Sequence, residues 1–322
     1  MDERVRYDAT AVRPSWDELP EQVRAVVAEW VGTPVSWRSA GGGFTRGFAS
    51  TLVNGDGSRS FVKAVPFSNT HISASYRREI AVHGVLPEAV PAPRLLHSAE
   101  VGSGQDGWVV LAFDHVDGRM PGNPWDGADL RMVVAALERT ADALADVRWD
   151  DTSTLVDEAA AEPGAFTLWK TYDESRVHEG LGTWLAAHRD RLSAATARSL
   201  EAFRGTTWAH CDVRADNLVI EGSTAWVVDW NWLCRAPAWV DLALLLPQVH
   251  ANGVDLAPAY GSRLLTDVAP DDLDAAVAWL GALMLLLADA PTFEGGSPWI
   301  RPHQRWTGQA CLDLLRSRWG AA

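Results

Sequence analysis

Cysteine, lysine and long apolar runs are all scarce in this chain of 322 residues. The three cysteines (Cys211, Cys234, Cys311) are odd in number and none is spaced C-x-x-C. That argues against a disulfide framework or a structural zinc, and for a reduced, cytoplasmic protein. The longest apolar run, residues 275–288, lies between Asp274 and Asp289. It is too short to span a bilayer and predicts a buried helix, so no membrane partner is expected. The first ten residues are charged and lack the apolar segment of a signal peptide. Basic charge is also in short supply. With a net charge of −14 no basic stripe remains to neutralise phosphates, which argues against a nucleic-acid partner. H-E-x-x-H and any i, i+4 pair are missing among the nine histidines, and G-x-S-x-G and G-x-x-x-x-G-K-[ST] are absent as well. Zinc-hydrolase, serine-hydrolase and P-loop chemistry lose their usual signatures.

The charge that is present is unevenly placed. Residues 1–112 hold 12 acids and 11 bases, whereas residues 113–322 hold 30 acids and 17 bases. The acidic surplus serves either solubility or a groove for a cationic ligand. Lys63 and Lys170 are the only lysines, so a lysine kept inside the apolar run F-V-K-A-V is conspicuous.

Periodicity predicts a first helix over residues 20–31, with Val23, Val26, Val27 and Trp30 on one face and Gly32 as its stop. Strands follow over 35–40, 48–53 and 60–65, the last two joined by the Asn54-Gly55-Asp56-Gly57 turn. A helix over 73–86 and an apolar strand over 108–113 complete a small sheet with one inserted helix. Beyond Gly118 the pattern is helical, over 130–144, 175–203, 240–249, 271–288 and 304–319. Two short strands, 218–220 and 225–228, interrupt it. The order predicts an α+β, bilobal chain, divided into residues 1–113 and 114–322.

The chemistry concentrates at W-A-H-C-D-V-R-A-D-N-L-V-I-E-G-S-T-A-W-V-V-D-W, residues 208–230. Asp212 is a carboxylate on a loop before a strand, placed to take a proton from an attacking hydroxyl. Asn217 and Asp229 are hard oxygen donors, one neutral and one charged, suited to Mg2+. One base beside one hard-cation site points to phosphoryl transfer from a nucleotide. A capped turn is the structural alternative for Asp212 and Asn217. His210 either touches substrate or hydrogen-bonds backbone near Asp229. Arg214 either stands at a γ-phosphate or pairs with Asp216. The turn Gly41-Gly42-Gly43-Phe44-Thr45-Arg46-Gly47 either admits phosphates to its backbone or is a plain hairpin.

These motifs resemble those of the aminoglycoside phosphotransferase family, whose fold is similar to that of protein kinases. Its H-G-D-x-x-x-x-N loop is matched by His210, Asp212 and Asn217, with Cys211 in place of the usual glycine. Its I-D-W motif is matched by Val228-Asp229-Trp230, and a D-L-A helix start by Asp241-Leu242-Ala243. The resemblance implies that Lys63 holds the α- and β-phosphates of ATP (or GTP) and that Glu79 pairs with Lys63. It implies that Gly42 and Gly43 approach the phosphates, although Arg46 stands where the last glycine of a G-x-G-x-x-G would fall. It also places an adenine hinge at residues 111–114, around Phe113, and gives Asp241 hydrogen bonds from the catalytic loop. Only eleven residues separate Asp229 from Asp241, too few for a peptide-docking activation segment, so the acceptor is a small hydroxyl compound. An aminoglycoside or other amino sugar, a metabolic sugar or an amino alcohol all remain open, as does a non-catalytic nucleotide-binding role. The assembly is expected to be a monomer or homodimer. Trp125, Trp169, Trp184, Trp232, Trp239 and Trp299 are candidates to line an acceptor pocket, and Asp173, Glu174, Glu179 and Glu294 to meet an amine.

Overall fold

The computed structural model describes residues 9–122, 124–178, 180–293 and 295–320, so Glu179 and Glu294 lie outside the described residues. The chain enters through helix α1 (Glu21–Val31) and then builds an antiparallel sheet. Its strands are β1 (Pro34–Ser39), β2 (Phe48–Asn54) and β3 (Arg59–Pro66), then, after helix α2 (Thr70–His83), β4 (Leu95–Val101) and β5 (Trp108–Asp114). The spatial order is β1-β2-β3-β5-β4.

The two-residue period of the strands decides what each face of this sheet meets. Val62, Ala64, Val110 and Ala112 pack with Val23 and Val27 of α1. Val65, Val109, Leu111 and Phe113 pack with Ile72 and Tyr76 of α2. Lys63, between Val62 and Ala64, therefore falls on the α2 face. On α2 itself Ile72, Tyr76 and Glu79 are all buried and recur at helical spacing, which presents Glu79 to the same sheet face. Strand β4 has no counterpart in the predicted elements. It is a part-exposed edge strand whose sequence, L-L-H-S-A-E-V, does not alternate apolar with polar residues, and so carries no strand period.

The remainder is helical around a second, larger core. Helix α3 (Gly127–Leu144) leads to the short α4 (Leu155–Ala160) and α5 (Leu168–Thr171), then to the long α6 (Leu181–Ala202). Strands β6 (Thr207–Ala209), β7 (Leu218–Glu221), β8 (Thr224–Val227) and β9 (Cys234–Ala236) interrupt the helices. Antiparallel pairs β6–β9 and β7–β8 frame the motif of residues 208–230. Helices α7 (Val240–Ala251), α8 (Ala257–Tyr260), α9 (Pro270–Ala288) and α10 (Ile300–Trp319) complete the chain. The α9 stretch is buried almost throughout, in keeping with its apolar sequence. Among the described residues no helix is long and apolar enough to cross a membrane. The fold is thus α+β and bilobal, of protein-kinase-like type, with a small sheet-rich part and a larger helical one.

The two parts are tied by Arg78, next to Glu79 on α2. Its guanidinium forks onto the Asp151 carboxylate, donates to the Leu233 carbonyl at 2.8 Å and lies over the Trp149 ring. This pairing holds the Asp151 carboxyl far below the usual carboxylate range.

Candidate active site

The loop between β6 and β7 is organised by buried carboxylate and imidazole contacts. Asp241, in the first turn of α7, accepts from the backbone N–H of His210 at 2.9 Å and of Cys211 at 2.7 Å. His210 is fully buried, and its Nε2 lies 2.9 Å from the Val228 carbonyl, one residue before Asp229. Of its two open roles the structure thus gives it the backbone-tying one. Among the described residues two non-glycines adopt left-handed backbone, Cys211 at φ 62° and Asp229 at φ 63°. Such a conformation costs an L-residue about 1–2 kcal/mol, which the surrounding bonds must offset. It also gives a physical reason for the glycine usual at position 211 in the resembling motif.

Asn217 donates through Nδ2 to the Asp212 carbonyl at 2.8 Å and to Asp212 Oδ2 at 2.9 Å. That orientation leaves Asn217 Oδ1 buried without a hydrogen-bond partner among the described residues. A buried amide oxygen with no donor is costly in a finished core but suited to an incoming cation. The other Asp212 oxygen is taken by Arg214, which also donates from Nε to Asp216 Oδ1 at 2.8 Å. Arg214 is therefore paired with Asp216, yet it is no surface residue, since its guanidinium lies under the Phe44 ring. Asp216, named in the sequence only as the alternative partner of Arg214, has a fully buried side chain and anchors that arginine. Burial raises the Asp212 carboxyl above its ordinary range, Arg214 works against the rise and Asp229 adds to it.

Lys63 joins the two parts of the molecule. Its Nζ lies 2.7 and 2.9 Å from the Glu79 carboxylate oxygens and also bonds Asp229. Burial disfavours the ammonium, but Asp229 and Glu79 outweigh it and hold the lysine well above its usual range. Burial would likewise raise Asp229, and Lys63 reverses this and depresses it. Lys63, Glu79 and Asp229 thus form one bonded group and Asp212, Asn217 and Arg214 another. The Asp229 charge acts on Asp212 and Arg214, and the Asn217 backbone carbonyl accepts from the Val228 N–H. Phe113 flanks it with its ring 5.5 Å from Lys63 Nζ, but its side chain is buried and its backbone sits inside the paired strand β5. The first residues past the sheet are His115 and Val116.

Gly42 and Gly43 belong to a turn that is held from elsewhere. Arg13, Thr10 and Ser297 bond its backbone, and Phe44 stacks on His303 of α10 at 4.6 Å. None of these four partners carries a local sequence signal. The tryptophans divide: Trp125, Trp169 and Trp184 are core residues, whereas Trp232, three residues beyond Asp229, is 44% exposed. Asp173 caps its own turn through Ser175, and Glu174 pairs with Arg189, so both are already engaged. The cysteine thiols are all free, and the Cys211 and Cys234 sulfurs lie 3.2 Å apart. That contact and burial push the Cys211 thiol up, which disfavours a nucleophilic thiolate.

The sequence model of the phosphotransferase enzyme family matches residues 45–279. The chain belongs to this family. No curated protein matches it in sequence. Among solved structures, an aminoglycoside phosphotransferase from Alicyclobacillus acidocaldarius is similar, at 18% identity and a TM-score of 0.57 over 94% of this chain and 97% of that one. An amicoumacin kinase in complex with AMP-PNP, Ca2+ and Ami is similar at 13% identity and 0.51, over 92% and 94%. A choline/ethanolamine kinase family protein from Mesorhizobium loti is similar at 14% identity and 0.52, over 90% of each chain. Solved structures with this fold thus include kinases of differing small molecules.

Proposed function

We propose that the protein transfers the γ-phosphoryl group of ATP to a hydroxyl of a small molecule. The observation that carries the proposal is the cluster in which Lys63 bonds Glu79 and Asp229 beside Asp212 and Asn217. The nucleotide lies between the parts spanning residues 1–113 and 114–322. Lys63 binds its α- and β-phosphates, with Glu79 fixing the ammonium. Adenine meets backbone beyond β5, at His115 and Val116, because that of Phe113 is already paired within the sheet. Asp212 accepts the proton of the attacking hydroxyl as the oxygen–phosphorus bond forms and ADP departs. Arg214 faces the transferred phosphoryl group and balances its charge.

Asn217 Oδ1 and the Asp229 carboxylate are the ligands for Mg2+. The unpartnered Asn217 oxygen fits that use, and among the described residues no cluster of three or more His, Cys, Asp or Glu offers a richer site. A two-ligand site suits a cation that keeps waters and binds phosphate oxygens. When bound, the metal supplies charge neutralisation at the phosphates.

For the acceptor we favour an amino sugar such as an aminoglycoside. The acidic surplus of residues 113–322 and the exposed Trp232 beside the catalytic strands support a cationic, ring-bearing ligand. The test is Mg-dependent ATP turnover with a library of aminoglycosides, sugars and amino alcohols. Turnover of the amino sugars is expected. Turnover confined to sugars or amino alcohols would move the acceptor assignment. ATP binding with no turnover of any acceptor, unaltered by Asp212→Ala, would leave a non-catalytic nucleotide-binding protein.

A further inference from the structure

Arg13 lies in the segment before α1, outside the residues that the family model matches. Its guanidinium reaches three separate carbonyls of the glycine-rich turn: Nε to Ala40 at 3.1 Å, Nη1 to Gly47 at 3.0 Å and Nη2 to Gly42 at 2.8 Å. Neighbouring residues hold further carbonyls of the same turn. Thr10 Oγ1 donates to Gly43 at 3.1 Å, Ala11 N–H to Gly41 at 2.9 Å and Ser297 N–H to Phe44 at 2.8 Å. The carbonyls are thus drawn away to one side, while none of the described residues accepts from the N–H groups of Gly42 or Gly43.

The sequence of the turn fits this arrangement. Arg46 replaces the last glycine of a G-x-G-x-x-G and is exposed. The left-handed backbone falls at Gly43, φ 97°, where an added Cβ would lie 2.7 Å from Arg13 Nη2. Glycine is needed at 43 for its positive φ, and an added Cβ would also displace the tip of Arg13.

We propose that Arg13 is a positioning residue for the nucleotide phosphates: by gathering the carbonyls of the turn it leaves the glycine N–H groups facing the phosphate site. This rests on the reading of the protein as an ATP-dependent phosphotransferase. The planar fork spreads its donors over three nitrogens and so meets three carbonyls set apart, whereas the three N–H groups of a lysine radiate from a single nitrogen. N–H groups preset toward an anion bind it without the ordering cost a free hairpin incurs. An added Cβ at Gly47, whose carbonyl Arg13 holds, would lie 2.7 Å from the Tyr76 hydroxyl, and the Tyr76 ring lies 5.8 Å from Lys63 Nζ, which places the turn close to the Lys63 cluster.

Calorimetric binding of Mg-ATP and of adenosine to wild type, Arg13→Ala and Arg13→Lys tests the proposal. Because adenosine lacks phosphates, Arg13→Ala should weaken ATP by roughly tenfold or more and adenosine by less than about twofold. Arg13→Lys should restore little of the loss. Equal weakening of both ligands, no weakening of ATP, or full rescue by lysine would each overturn the positioning role. Thermal melts establish that each variant is folded. Should Arg13→Ala not fold, Gly43→Ala forces the same contact apart and should show the same selective loss, and an equal loss of both ligands there would overturn the role. If wild type binds neither ligand, the phosphotransferase reading itself fails, a result distinct from normal wild-type binding with an indifferent Arg13.

Discussion

The catalytic loop and the glycine-rich turn solve one problem, holding irregular backbone in a fixed shape, by opposite means. The catalytic loop is wired from nearby in the chain. Asn217 reaches Asp212 five residues away, His210 reaches Val228 eighteen away, and Asp241 reaches His210 thirty-one away. The glycine-rich turn draws on Arg13, at a spacing comparable to that of Asp241 and His210 but outside any motif, and on Ser297 and His303, which are truly distant, near the other end of the chain. Local wiring writes itself into a motif, whereas long-range wiring leaves no trace in sequence spacing.

Substitutions can break or sharpen that contrast. The largest effect is expected at Asp212: Asp212→Ala should lower turnover by roughly 10²–10⁴-fold while ATP binding persists. The wild-type rate should also fall at acid pH. Asp212 must be ionised to accept a proton, and burial raises its pKa. Turnover is therefore lost as pH falls through a value above the roughly 3.9 of a free aspartate. An acid limb at or below that value would contradict the buried-base picture.

Asp241→Ala strands two backbone N–H groups inside the loop and should cost about 2–4 kcal/mol in urea unfolding. A loss of turnover without any loss of stability would instead make Asp241 a reactive group. Ser297→Ala removes the 2.5 Å bond from its hydroxyl to the Thr10 carbonyl and should cost about 1 kcal/mol. If long-range wiring governs the turn, that small change weakens ATP more than it weakens adenosine. The smallest effect is expected at Cys211. Cys211→Gly relieves the left-handed strain but frees the unfolded chain, so thermal stability should move by less than about 1 kcal/mol.

How much could be read beforehand follows the same division. His210, Asp212, Asn217, Asp229 and Asp241 were all legible, because a loop between two short strands keeps its partners within one stretch of sequence. The Lys63–Glu79 pair, sixteen residues apart, was legible through the family resemblance, and the strand and helix periods explain why both side chains meet. Strand β4 was not, since its edge-strand sequence L-L-H-S-A-E-V shows no alternation. Nor could tryptophans be sorted. Trp169 and Trp232 are equally conspicuous as letters, yet one is fully buried and the other 44% exposed. Arg13 looked like one arginine among many, because its value lies in three carbonyls 27, 29 and 34 residues away.

The contact between Thr10 and Ser297 spans 287 positions. Loop closure over such a distance is a late and slow event in folding, and chains are made from the amino terminus onward. The catalytic loop can take shape while synthesis continues, but the glycine-rich turn cannot be locked until residues near 297 have left the ribosome. A nascent chain would thus complete the loop that carries Asp212 well before the turn that carries Gly42 and Gly43.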